Sequence, residues 1–332
     1  LTQSTSEISR FCNLNDQSWI TAVIPLSKTP ADAEPLTGFR RFFHESVLTL
    51  KLGIPVVIAQ ILLISMQFVD TVMAGHVSAR DLAALGIATA LFHPLLLLMV
   101  GVLMAVTPMV AQLKGSQKDD RISKVVADAL QLSLVFAQPL ILLLHLMEPL
   151  MEFIGYPEEV SRIGDGYLQA VAWGVPAMLA YDVFRHFNEG VALTRPNMYF
   201  HIVGLMLNIL GNYTLMFGHF GFPAMGAVGA GWSTALVWNM MFLMMILFSF
   251  KNSRLRKYLK LGDFFRIHLL NTREILRIGV PNGLSNGAET GLFALVALMM
   301  GTLGVHIMAA HQIAINVAAM TFMVPLGISV AI

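Results

Sequence analysis

Long apolar runs, broken at intervals by short polar segments, dominate this chain. No Asp, Glu, Lys or Arg occurs from Leu82 to Leu113, from Ala129 to Met147 or from Pro196 to Phe250, and after Arg277 the only charged side chain is Glu289. A helix that crosses the hydrocarbon core of a bilayer needs roughly 20 mostly apolar residues, so the block from Pro196 to Phe250 has room for two. The pattern predicts eight spans, at 52–74, 82–112, 126–147, 166–187, 197–217, 226–249, 275–300 and 306–332. Turn chemistry separates them: Gly75-His76, Lys114-Gly115-Ser116, Gly155-Tyr156-Pro157, Arg195-Pro196-Asn197, Gly218 to Pro223 and Gly301 to Gly304. Helices are expected throughout, because a segment surrounded by lipid must satisfy its own backbone polar groups.

Composition agrees with this pattern. Of the 332 residues, 56% are hydrophobic and 12% charged, against about 25% charged in soluble domains. The net charge of +1 hides a strong asymmetry. With the loops numbered by the spans they join, every Lys and Arg except Arg80 and Arg162 falls on one side, in the N-terminal segment and the 2–3, 4–5 and 6–7 loops. Basic loops mark the cytoplasmic face, so the N-terminus is expected in the cytoplasm. The basic residues thus serve orientation, and the 6–7 loop can also touch anionic lipid; nucleic-acid binding explains them poorly. Cys12 is the only cysteine, which excludes a disulfide framework and a CxxC metal site. The apolar stretch Trp19 to Leu26 is too short for a convincing signal peptide, and residues 1–38 are read as a poorly ordered cytoplasmic leader.

An internal repeat is visible. Leu-Lys-Leu-Gly-Ile-Pro at 50–55 returns as Leu-Arg-Ile-Gly-Val-Pro at 276–281, and at the same offset Gly75 meets Gly301, Ala83-Ala84 meet Ala309-Ala310, and Ile87-Ala88 meet Ile313-Ala314. One repeat spans six helices. An even number gives both copies the same orientation, related by an axis along the membrane normal. The second copy is expected to be truncated at Ile332, two helices into it. The domains expected are a first six-helix lobe at 39–250, a basic cytoplasmic linker at 251–274 and the first two helices of a second lobe at 275–332.

Specific motifs carry a family resemblance. Gly53-Ile54-Pro55 through Phe68-Val69-Asp70-Thr71-Val72-Met73-Ala74-Gly75-His76 resembles the first helix of the multidrug and toxic compound extrusion (MATE) family, most closely its bacterial NorM-like branch. Glu189-Gly190-Val191-Ala192-Leu193-Thr194-Arg195-Pro196-Asn197, Asn208 with Asn212-Tyr213, and Ala309-Ala310-His311-Gln312-Ile313-Ala314 are similar to further motifs of that family, in the same order. The resemblance covers roughly residues 45–332. It implies an all-α polytopic membrane protein with a MATE-like two-lobe fold of six-helix repeats, of which about eight transmembrane helices are present here. It also implies cation-driven export of amphiphilic, often cationic compounds.

Several polar residues within the spans are candidates for that chemistry. Asp70 lies in the outer half of the first span, with Gln60 and Gln67 on the same side of the helix. A charge in the bilayer costs roughly 2.5–3.5 kcal/mol even on insertion scales. Asp70 is therefore read as a cation site, for Na+ or for a proton; the structural alternative is an interfacial Asp capping the 1–2 turn. Asn208 and Asn212, at i and i+4, share a face and offer amide oxygens to a hard cation, or else form interhelical hydrogen bonds. Glu289, near the middle of the seventh span, is the second acid at which Na+ or a proton is expected, with Asn282 and Asn286 on its face and Gly283, Gly287 and Gly291 forming a packing stripe beside it. His311, Gln312 and Asn316 add polarity to the eighth span as a substrate or proton pathway; for His311, packing is the alternative. Asp182, Arg185, His186 and Glu189 read as a gate or ion-pair cluster at the cytoplasmic end of the fourth span. Asp128 reads as a solvated first-turn acid.

No HExxH pair, GxSxG nucleophile or Cys–His arrangement is present, so an enzyme is not expected. The reading is a monomeric secondary active antiporter of the bacterial inner membrane, with no cofactor. Its partners are small-molecule drugs or metabolites and the surrounding lipid, and its coupling ion is Na+ or H+. The alternative is a lipid-linked saccharide flippase of a related fold, which would need basic residues in its cavity.

Overall fold

The computed structural model describes residues 39–266 and 269–331, so the leader expected at 1–38 lies outside the described residues. The chain divides into two compact units, 1–51 and 52–332, and the arrangement that follows is that of the second. In order, the helices are α1 (Phe39–Val77), α2 (Ala79–Leu103), α3 (Val106–Gly115), α4 (Asp119–Leu144), α5 (Met147–Ile154), α6 (Glu158–Ala172), α7 (Val175–Gly190), α8 (Arg195–Leu215), α9 (Ala227–Lys251), α10 (Ser253–Arg256), a 3₁₀ turn at Leu261–Phe265, α11 (Leu269–Thr302) and α12 (Val305–Ala331). Among the described residues no strand occurs.

Six stretches are long and apolar enough to cross a membrane: Gly53–Val77, Ala79–Gly115, Asp119–Leu144, Ala227–Lys251, Asn271–Thr302 and Val305–Phe322. The expected spans at 166–187 and 197–217 are helical but fall outside this group. The reason is the polar content of these two helices. The first carries Asp182, Arg185 and His186 and the second His201, Asn208 and Asn212, and most of these side chains are buried. The 166–187 segment is also broken between α6 and α7 at Trp173-Gly174. Pro176 follows at the start of α7, where it has no N–H to offer the carbonyl of residue 172 and its ring crowds that carbonyl. Pro108 stands in the same relation to the break at Met104-Ala105 between α2 and α3.

Caps fix the ends of the helices. The Ser78 hydroxyl accepts from the Asp81 amide at 2.9 Å and so caps α2. Asp81 in turn accepts from the amide of Ala227 at 2.7 Å. The negative carboxylate therefore sits at the positive end of α9 and ties the α1–α2 turn to the α8–α9 loop. Gly226 makes this possible: its φ is +58°, and a Cβ there would collide with the Asp81 carboxylate.

α11 lies along α2, the most extensive helix pairing in the unit, and α12 packs on the same helix. The close approach of α11 depends on missing side chains. A Cβ on Gly279 would strike the carbonyl of Val102, one on Gly283 the carbonyl of Leu98, and one on Gly101 would come within 2.6 Å of the Gly283 Cα. The packing stripe is therefore Gly279, Gly283 and Gly287. Gly291, expected to belong to it, has nothing within 4 Å of its would-be Cβ. Large apolar side chains on the outer faces, such as Met206, Leu236, Leu243 and Leu292, are exposed, as a lipid-facing surface requires.

The linker is strapped to the start of α4. The Lys260 amide donates to Ser123 Oγ at 2.9 Å, Gln131 donates to the Phe264 carbonyl at 2.9 Å, and Lys260 pairs with Asp120. That pairing lifts the Lys260 ammonium above its ordinary range. Asp128 corrects its expected role as a solvated acid. It is 1% exposed and accepts from Asn271 Nδ2 at 3.0 Å. A buried carboxylate needs such donors, and the linker supplies one.

Candidate functional site

The site is built where α1, α8 and α9 meet. Asp70 projects from α1 into the interior and is 7% exposed. Its Oδ1 accepts from Asn208 Nδ2 at 2.9 Å and from Asn212 Nδ2 at 2.6 Å, and its Oδ2 accepts from the Thr234 hydroxyl at 3.5 Å. The i, i+4 spacing on α8 stacks the two amides over the same carboxylate oxygen. Gly211 lets α9 approach, since a Cβ there would overlap Ser233 Oγ. Ser233 donates to the Asn208 carbonyl at 3.4 Å, which sets the adjacent Thr234 against Asp70.

This arrangement has two telling electrostatic features. Asp70 has no Lys, Arg or His partner among the described residues, so neutral dipoles alone offset the loss of water around it. Beside it, the carbonyl oxygen of the Asn212 side chain is buried with no hydrogen-bond partner. Two carboxylate oxygens, two amide oxygens and one hydroxyl thus lie within one cluster. Oxygen donors of this kind suit a hard cation, and a lone carboxylate in such a place also suits a proton. Among the described residues no group of three or more His, Cys, Asp or Glu gathers in a way that would hold a metal ion.

The family model described as MatE matches residues 55–214, which include Asp70, Asn208 and Asn212. The multidrug resistance protein NorM of Photobacterium profundum is 39% identical over 289 residues, covering 87% of this chain and 63% of the relative. NorM of Vibrio cholerae is 37% identical over 292 residues, covering 88% and 64%. Over residues 55–214 the chain is similar to the MatE family. It spans a little under two thirds of the length of these curated relatives.

Solved structures agree on the fold. A eukaryotic MATE transporter, AtDTX14, superimposes with a TM-score of 0.71 at 17% identity, over 78% of this chain and 57% of the other. An outward-facing multidrug resistance MATE transporter of the MOP superfamily gives 0.73 at 21% identity, over 85% and 62%.

The remaining expected residues do not all join Asp70. Gln67 lies on α1 and pairs with His93 of α2, Nε2 to Nε2 at 3.1 Å; Gln60 is half-buried two turns before it. Glu289 stands apart, exposed on α11 with no hydrogen bond or ion pair among the described residues. Asn282 and Asn286, expected to accompany it, turn toward α2 instead. Asn282 donates to the Gly101 carbonyl at 3.0 Å, and Asn286 reaches Met104 Sδ at 3.5 Å. On α12, Gln312 is buried beside Gly86 and His311 has a buried, unpartnered Nε2. Asn316 donates to the Thr71 hydroxyl at 3.0 Å.

The cluster of Asp182, Arg185, His186 and Glu189 forms as a largely buried network. Arg185 bonds Asp182 at 2.8 Å and lies 3.8 Å from Glu189, while His186 Nδ1 lies 3.2 Å from Glu189 and 3.1 Å from the Thr107 hydroxyl. It joins α7 to α3 and contributes nothing to the Asp70 site. Thr234, Thr71 and His93 were not expected from the sequence. None of them is charged, and which neighbour each one meets depends on the packing of other helices.

Proposed function

We propose that this protein is a secondary active efflux transporter, not an enzyme. It exports small amphiphilic, often cationic compounds across the bacterial inner membrane in exchange for Na+ or H+. The observation that carries this reading is the Asp70 carboxylate, buried among Asn208, Asn212 and Thr234 without a basic partner among the described residues. The names of the relatives, multidrug resistance proteins, support the same class of cargo. The buried Arg185 is engaged with Asp182 and Glu189, which leaves it poorly placed to meet the anionic cargo of a saccharide flippase.

The mechanism is alternating access. Residues 39–250 form one lobe, 275 onward begins a second, and 251–274 joins them on the cytoplasmic side, where the N-terminus also lies. A cation arriving from outside displaces the Asn208 and Asn212 amides from Asp70, turning their oxygens inward as ligands, or else protonates the carboxyl. Either event changes which bonds α1 makes to α8 and α9, and so favours one of two arrangements of the helices. Coupling needs the cation to bind those arrangements with different affinity. Glu289 supplies a second, independent acid on the other lobe, suited to the cationic group of a substrate.

The test is efflux of ethidium from cells expressing the protein, with the sodium and proton gradients collapsed separately. Loss of efflux on collapsing one gradient identifies the coupling ion. Efflux indifferent to both contradicts the proposal.

A further inference from the structure

Asp70 and Thr71 are neighbours on α1, so their side chains leave the helix about 100° apart. Asp70 faces α8 and α9. Thr71 faces α12, where it is 2% exposed and meets Asn316, itself 6% exposed. The bond between them is fully committed at both ends. The Thr71 hydroxyl gives its proton to the Gln67 carbonyl at 2.9 Å and accepts from Asn316 Nδ2 at 3.0 Å. The Asn316 amide spends its other N–H on the Gln312 carbonyl one turn earlier, at 2.8 Å. Neither group can turn away without leaving a buried donor or acceptor unpaired.

The surroundings hold this contact in register. At Gly86 of α2 a Cβ would collide with the end of Met308 and lie 3.1 Å from Gln312 Oε1, so α12 sits close against α2 just beside Thr71. On the other side the Gln67–His93 pair fixes the same turn of α1 to α2. The hydroxyl bond back to the Gln67 carbonyl belongs to the kind that bends a helix at Ser or Thr. The turn that carries Asp70 is therefore clamped to the first lobe by its carboxylate and to the second by its next residue.

We propose that the Thr71–Asn316 hydrogen bond transmits cation occupancy of the Asp70 site to α12, with Asn316 as a positioning residue for transport. The inference rests on the reading of Asp70 as the cation site. When Asp70 exchanges amide donors for a cation, its turn of α1 shifts, and Thr71 carries Asn316 and α12 with it. Coupling between cation and substrate then depends on one bond that touches neither.

The experiment measures ethidium affinity by fluorescence on purified, monodisperse protein, with sodium present or absent and at neutral or acid pH. In the unaltered protein the coupling cation weakens ethidium binding about fivefold or more, within the usual range of coupling between two sites. In Thr71→Val, close in shape and lacking the hydroxyl, the ratio of affinities falls to about one while the cation-free affinity is unchanged, and in Asn316→Ala the ratio falls likewise. Thr71→Ser keeps the ratio, and Thr71→Val combined with Asn316→Ala is no worse than either alone, as expected when both report one interaction. A ratio that survives in Thr71→Val and Asn316→Ala overturns the inference and leaves the cation site standing, because direct competition at Asp70 would need no link to α12. A ratio of about one in the unaltered protein overturns both.

Discussion

Asn212 donates to the Asp70 carboxylate at 2.6 Å across 142 positions of sequence, while the oxygen of the same amide is buried without a partner. One side chain thus both satisfies the acid and holds an unpaired oxygen next to it. Asn212→Leu removes the donor and the oxygen together. Transport is expected to fall at least tenfold in cells that make normal amounts of the protein, a change of about 1.4 kcal/mol in the limiting step. Thr234→Val removes a longer bond and is expected to cost about 0.5–1.5 kcal/mol in cation affinity, read as a rise in the sodium or proton concentration giving half-maximal efflux.

The glycine stripe predicts a contrast along one helix. Gly283→Val forces a side chain into the Leu98 carbonyl and the α2 backbone and is expected to destabilise the protein by about 1–3 kcal/mol or more. Gly291→Ala meets open space and replaces a poor helix former with a better one. Its melting temperature in detergent is expected to match or exceed that of the unaltered protein.

The strap between linker and α4 predicts a second contrast. Asn271→Ala takes a donor from the buried Asp128 carboxylate, and a hydrogen bond to a charged group is worth about 1.5–3 kcal/mol. Lys260→Ala breaks an ion pair between exposed side chains and is expected to leave the melting temperature unchanged within error, since such pairs contribute little.

Asp165, midway along α6, predicts a pH dependence. Burial and the nearby Glu148 carboxylate lift its carboxyl above the usual range, although Gln169 donates to it. An acid with a raised folded-state pKa favours the folded state in its protonated form. Stability from this group is full below the ordinary Asp value and is lost as pH rises from there through the raised value. Asp165→Asn, which can still accept from Gln169, is expected to raise the melting temperature at pH 7 and to lose that advantage near pH 3. A lower melting temperature at pH 7 in the variant would contradict the assignment.

The sequence made some of this site legible and hid the rest for identifiable reasons. Asp70 stood out because a charge in an apolar run is costly, and Asn208 with Asn212 because two amides four apart share a face. Their convergence on one oxygen depends on the approach of α8 to α1, which no local pattern encodes. Thr234 and Thr71 were hidden because a lone Thr in a span usually satisfies its hydroxyl on its own helix. Thr71 does so through Gln67, yet it still has a lone pair left for Asn316. The glycine stripe was legible as a motif but not in its extent, because Gly279 and Gly291 fit the same i, i+4 row and only the position of α2 separates them. Asp128 looked solvated because its partner, Asn271, lies 143 positions away. The break at Trp173-Gly174 is explained by Pro176, but many prolines within spans only bend a helix, as Pro55, Pro94 and Pro139 sit inside continuous ones here.

The central claim is that the Asp70 carboxylate couples cation entry to substrate exit. Its most direct test is ethidium transport into proteoliposomes under an imposed sodium or proton gradient, comparing the unaltered protein with Asp70→Asn at equal reconstitution. Asn keeps the size and polarity of the side chain and removes the charge. The account predicts gradient-driven transport in the unaltered protein and none in the variant, with ethidium binding retained. Gradient-driven transport at the unaltered rate in Asp70→Asn would contradict it.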